Sequence, residues 1–190
     1  MKRLVNNIIS VIFTFIKFSI IKLFHWKRFY FHPIERFSPN TNITIVGKGK
    51  LILGSRVTAH TGTKLKVLNK GKLVIDDKAR FNYGCMVFCR ESVHIHREVG
   101  FGPNVLMFDH DHDYRVHDGV GYGATKFISG SIEIGERTWI GANVVLLRNT
   151  KIGKNCVVAA GCVLRNCEYP DNTLIYQKRD THTKIVPKET

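Results

Sequence analysis

From Ile134 onward, aliphatic residues recur at every sixth position: Ile134, Ile140, Leu146, Ile152, Val158 and Leu164. With roughly a quarter of residues aliphatic, six in register arise by chance on the order of once in 10⁴. A second series keeps the same spacing: Thr138, Val144, Thr150, Cys156 and Cys162, all small or β-branched. Gly135, Gly141, Gly153 and Ala159 directly follow the aliphatic positions. Neither a helix nor an ordinary strand repeats every six residues.

A coil of three short strands and three tight turns does. The aliphatic residue points into a triangular core, and the next position is expected to take the turn, where glycine is sterically cheap. The small residue fills a corner that a larger side chain would overpack. One coil cannot bury its own faces, so stacked neighbours complete the core. The register recurs upstream: Ile75, Phe81 and Val87 with Ala79 and Cys85, then Ile95, Phe101 and Met107 with Val99 and Val105. Leu53–Gly54 with Val57 and Ala59 forms a weaker early coil. The one large break, residues 108–130, is expected to be an excursion loop, and residues 168–190 a C-terminal tail. A parallel α/β sheet needs crossover helices, for which there is no room after Ile43. The fold expected over residues 37–190 is therefore an all-β solenoid.

Residues 4–24 are the most apolar stretch, and the polar residues Arg3, Asn7, Ser10, Thr14 and Lys17 fall on one narrow helical stripe. Such an amphipathic helix suits a membrane interface. Lys2, Arg3, Lys17, Lys22, Lys27 and Arg28 would then face anionic headgroups. No small-residue cleavage site follows, which argues against a signal peptide. Lys17 and Lys22 make a span costly. A helix packed on its own domain or on a neighbouring subunit is the remaining alternative. His32–Pro33 and Ser38–Pro39 punctuate a linker, so residues 1–36 form the helix-and-linker segment. The expected location is cytoplasmic, peripheral on the inner face of the membrane. The formal charge of +14, from 29 basic and 15 acidic residues, favours anionic partners. No recognition motif accompanies it, so nucleic acid is not expected. Five cysteines without zinc-type pairing read as small core residues in a reducing compartment.

Three blocks carry a resemblance: Ile134 to Asn143, Ile152 to Gly161, and Phe101 to Val105 leading into Asp109-His-Asp-His-Asp-Tyr114. With them the chain resembles the hexapeptide-repeat acyltransferases over about residues 43–187. It is most similar to the O-acetyltransferases of surface polysaccharides and to maltose and galactoside acetyltransferases. The resemblance implies a left-handed parallel β-helix, a homotrimer with sites in the clefts between subunits, and acetyl-CoA as co-substrate. It also implies a sugar or glycan acceptor, free or lipid-linked, and a loop histidine as general base.

Acetyl transfer to a hydroxyl needs a base, and histidine titrates near neutrality. Placed ungapped after Pro103–Asn104, the family's catalytic histidine falls on His112, with His110 the near alternative. His94 and His96 flank an inward Ile95 and read as exposed strand residues. Asp109, Asp111 and Asp113 could orient the imidazole or be solvated loop residues; Asp109 and Asp111 are also candidates for acceptor contact. Asn82 resembles the family's acceptor-contacting asparagine, and Arg90 stands where relatives carry an acid. For CoA the resemblance points to Trp139, Gly141, Ala142, Ala159 and Ala160, with Arg165, Lys178, Arg179 and Lys184 for the phosphates. No acyl-enzyme is expected, since no cysteine adjoins His112, and no resident metal is expected. Two other functions stay open: a zinc enzyme like the γ-class carbonic anhydrases, using His112 and His117 with His94 and His96 available, and a non-catalytic membrane scaffold.

Overall fold

The computed structural model describes residues 2–116 and 125–178, with side chains from Asn7 onward. Three parallel sheets form the sides of a prism. The first face runs from Phe29–Tyr30 to Cys167–Tyr169 in seven strands, and the second from Arg36–Phe37 to Leu174–Ile175, also in seven. The third face has six, from Asn42–Ile45 to Val163–Leu164. The solenoid is a left-handed parallel β-helix, the exception to the usual right-handed crossover. Its first rung starts at Phe29, inside the segment that the prolines mark as linker, where Phe29 and Tyr30 pair with Leu51 and Ile52. Its last described strand, Leu174–Ile175, lies within the expected tail and pairs with Val157 and Val158.

Both six-residue series point inward. Ile134, Ile140, Leu146, Ile152, Val158 and Leu164 are buried, as are Thr138, Val144, Thr150, Cys156 and Cys162. The upstream blocks share that core, with Phe81 stacked on Phe101 at 4.6 Å between centroids. The five cysteines are free and four are buried.

The turns differ from expectation. The left-handed residue lies three places past the aliphatic one: Arg137, Asn143, Asn149 and Asn155 have φ between 53° and 57°. Asparagine tolerates that conformation through local hydrogen bonding. The glycines serve close approach between rungs instead. A Cβ on Gly135 would sit 2.5 Å from the Gly153 carbonyl carbon, and one on Gly141 would sit 2.6 Å from the Ala160 nitrogen.

The helix Lys2–Phe24 covers the first rung. Phe18 is buried there against Phe29 and Phe37, with centroids 5.3 and 4.9 Å away. The polar stripe from Asn7 to Lys17 faces the protein, as in the alternative of a helix packed on its own domain, while the side chains of Lys2 and Arg3 lie outside those described. Asn7 accepts from Arg36 at 2.8 Å, and Thr14 Oγ1 accepts the Phe37 amide at 2.9 Å. Lys17 donates to the Thr41 carbonyl at 2.6 Å, and Lys22 to the Phe29 carbonyl at 2.5 Å. Lys17 and Lys22 are therefore spent on carbonyls of the first rung and do not face headgroups. A stripe this narrow satisfies unpaired main-chain groups at the solenoid end. Apolar residues cover the outward side: Ile9, Ile12, Phe13, Ile16, Ile20 and Leu23 are all exposed. Near the seam, Glu35 is buried, and burial pushes its pKa up to about 9 against the opposing pull of the Val57 and His32 backbone.

Candidate active site

The rhythm breaks after Leu106–Phe108, on the third face, where the chain leaves the prism at the corner leading to the first face. It does not leave as an irregular loop. His110–His112 pairs antiparallel with Phe127–Ser129, so the base of the excursion is a two-stranded arm. His117 lies outside the described residues.

Asp109 fastens the arm to the prism. Its carboxylate is fully buried and accepts the backbone amides of Arg90, at 2.7 Å, Glu91, at 2.8 Å, and Ser92, at 2.9 Å. These amides form the corner of the rung below, which a charged acceptor holds more strongly than a neutral one. Asp109 thus has no surface to offer an acceptor, contrary to that part of the expectation. It does orient a histidine: His110 Nδ1 lies 2.9 Å from Asp109 Oδ1. A carboxylate only accepts, so that nitrogen carries the proton and Nε2 becomes the acceptor in the neutral ring.

Alternation along the arm sorts the remaining groups. His112 is exposed, with its ring tilted on Phe127 at 4.5 Å, and the Arg90 guanidinium covers Phe127 at 3.6 Å. Asp111 instead binds Arg148 at 2.9 Å and Arg165 at 3.0 Å. That pairing gives Asp111 a structural task and occupies Arg165, assigned above to phosphate. A cavity of about 390 Å³ opens here, lined by Asp111, His112, Tyr114, Arg115, Ile128, Arg148 and Arg165. Asp113 is held by Arg115, whose hydrogen bond keeps its carboxyl below the usual range. Arg148, unassigned in the sequence, completes the cation pair around Asp111.

Apart from Arg165, the groups assigned to CoA lie elsewhere on the same chain. Trp139 is on the second face, half exposed, with its indole against Gly100, where a Cβ would come within 2.8 Å. Gly141, Ala142, Ala159 and Ala160 form the corner between the second and third faces, which does not carry the arm. Asn82 sits at that corner one rung below Gly102, and its Oδ1 accepts the Tyr83 amide at 2.8 Å. Lys178 is exposed at the end of the described chain, while Arg179 and Lys184 lie outside the described residues. Among the CoA candidates, one protomer therefore brings only Arg165 to the arm. Burial, helped by the nearby Asp109 carboxylate, pushes the Cys89 thiol well above its usual pKa, so this cysteine is no nucleophile.

His94 and His96 are half-buried, not fully exposed, and share the first face with Asp76 and Glu133. The coil here spans 20 residues, since Val74 pairs with His94, so Asp76 falls level with His96 on the neighbouring rung, and that spacing is the signal in the sequence.

Residues 131–166 match the family described as bacterial transferase hexapeptide (six repeats). Repeat and fold together make the chain similar to the hexapeptide-repeat acyltransferases. Among curated proteins, the chain is 29% identical over 133 residues to WbbJ of Escherichia coli, named as a lipopolysaccharide biosynthesis O-acetyl transferase, covering 67% of each chain. It is 32% identical over 148 residues to a protein of Mycobacterium tuberculosis named as an acetyltransferase, covering 70% of this chain and 49% of that one. The match to the galactoside O-acetyltransferase of Lactococcus lactis is 29% over 99 residues, half of this chain and 44% of the other. The chain thus spans only about half the length of two of these relatives. Among solved structures, the N-acyltransferase AntD of Bacillus cereus, in complex with dTDP and coenzyme A, has a TM-score of 0.67 at 13% identity. That alignment covers 84% of this chain and 83% of AntD. The perosamine N-acetyltransferase of Caulobacter crescentus, in complex with CoA and GDP-perosamine, has a TM-score of 0.53 at 19% identity, over 76% and 53% of the chains. These two share the fold.

Proposed function

We propose that the chain transfers an acetyl group from acetyl-CoA to a hydroxyl of a sugar in a surface polysaccharide or its precursor. The observation that carries this reading is His112, exposed on a two-stranded arm at a cavity of about 390 Å³ lined with polar and cationic groups. His112 takes the proton from the acceptor hydroxyl as its oxygen attacks the thioester carbonyl carbon. The tetrahedral intermediate collapses with loss of the CoA thiolate, which recovers the proton from the imidazolium. The acetyl group moves in one transfer, with no covalent enzyme intermediate. A hydroxyl acceptor is favoured over an amine because two of the matched relatives are named for O-acetyl transfer.

The Asp109–His110 contact favours a second assignment, in which His110 Nε2 is the base and His112 a binding group. A neighbouring subunit fits either assignment. The arm and the Trp139–Gly141 wall lie on different edges of one prism, and a trimer of prisms sets one edge against another. Labelled acetyl-CoA supplied with sugar-nucleotide and lipid-linked glycan precursors should yield an O-acetylated product by mass spectrometry. Acetylation of amino sugars alone, or CoA binding with no product from any sugar, would remove the hydroxyl assignment.

The outward face of the helix supports a place on the cytoplasmic membrane surface. Its apolar residues are exposed, and beyond its end Trp26 stands under Lys27 and Tyr30 under Lys50. Aromatic and basic groups of this kind sit at headgroup level. The protein should float with liposomes containing anionic lipid, and Ile12→Glu with Ile16→Glu should lower the floating fraction about tenfold. Wild-type protein that stays in the bottom fraction would contradict membrane attachment.

A further inference from the structure

Away from the arm, the first face gathers two histidines and two carboxylates that the transfer reaction does not use. His94 is an outward residue of the strand Ser92–Ile95, and His96 follows two places later on the same side. Val74, His94 and Glu133 are direct partners on three adjacent strands. Asp76 and His96 continue the same rungs, their amides held by Ile95, at 2.8 Å, and Ile134, at 2.9 Å. The parallel pairing therefore brings these residues to one face on neighbouring rungs.

The side chains converge. His94 Nε2 lies 3.1 Å from Asp76 Oδ2, and His96 Nδ1 lies 3.5 Å from the same oxygen. One donor atom from each of the three residues falls within 4.8 Å of the others, and the two rings stack at 3.9 Å. Zinc bonds of about 2.0–2.2 Å at tetrahedral angles put ligand atoms roughly 3.3–3.6 Å apart. The two nitrogen–oxygen distances are close to that edge length.

A second feature points to a ligand independently. His96 turns its other nitrogen, Nε2, to Glu133 Oε1 at 3.1 Å. A histidine that coordinates through one nitrogen commonly donates its other N–H to a carboxylate, which fixes tautomer and ring orientation. Glu133 stands where that carboxylate belongs. Two neutral imidazoles and two carboxylates also match the charge of a divalent ion.

We propose that Asp76, His94 and His96 form a binding site for a divalent transition-metal ion of the zinc type, with Glu133 orienting His96 and water in the fourth position. Nitrogen and oxygen ligands in this ratio select zinc and its neighbours over magnesium or calcium. The site contains neither His110 nor His112, and it holds whether or not the chain transfers acetyl groups. Its role is to tie three successive rungs of the first face together.

The test is calorimetric titration of zinc into the full chain after metal stripping, in a buffer that does not chelate. One zinc per chain is expected, with a rise in melting temperature on saturation. His94→Ala and Asp76→Asn should each weaken binding at least about 100-fold, and Glu133→Gln about 10- to 100-fold. His60→Ala, outside the cluster, should leave affinity unchanged. The partly exposed positions make these variants foldable, which circular dichroism checks. No uptake by the wild-type chain, or undiminished uptake by a chain carrying both H94A and H96A, overturns the proposal.

Discussion

His112→Ala is expected to lower kcat by about 10²- to 10⁴-fold while the far-ultraviolet spectrum and the oligomeric mass stay unchanged. The side chain is exposed and holds no part of the core, so its loss should not reach the fold. KM for acetyl-CoA should move little, because the base acts as the transition state forms and not when the donor binds. His110→Ala is the paired control. Its ring is almost buried against Asp109, so its removal should cost some stability and a smaller part of kcat. The reverse order of effects would transfer the role of base to His110. Near wild-type turnover in both variants would sink the histidine mechanism.

Asp109→Ala should have the largest effect on stability. The buried carboxylate serves three backbone amides and one imidazole at zero exposure. Removing one partner of a buried charged network costs about 3–5 kcal/mol. Urea denaturation should show this as a lower midpoint with little change in slope. Activity should fall as well, since the arm loses its attachment to the corner at residues 90–92. Asp109→Asn keeps one acceptor oxygen while turning an amide NH₂ toward other donors, so its stability should lie between wild type and D109A. A loss below about 1 kcal/mol for D109A would show that the antiparallel pairing alone holds the arm.

The core is legible in sequence because burial in a solenoid repeats with the coil. Ile134 to Leu164 announce the fold, and their break locates the arm. What stays hidden depends on main-chain geometry. The three amides that Asp109 accepts have no signature in the residues Arg90, Glu91 and Ser92, so from sequence that aspartate reads as a loop acid. The glycines are visible, but their reason is not, since close approach between Gly135 and Gly153 requires the stacking to be known. The polar stripe of the helix is plain in the sequence while its direction is not, because its partners Arg36, Phe37 and Thr41 are rung groups absent from any helical pattern. Asp76 and His96 can be paired from one coil of spacing, whereas His96 and Glu133, 37 apart, are separated by the excursion.

The helix packed on the first rung has one more consequence. A β-solenoid ends in a row of unpaired amides and carbonyls, and such an edge can template the addition of another chain. Phe18, Thr14 and Lys17 cover that edge with an aromatic plug and take up its main-chain groups. The segment is therefore a stopper against end-to-end polymerisation. Growth of fibres from that end is blocked by the same contacts that leave the apolar side of the helix facing out.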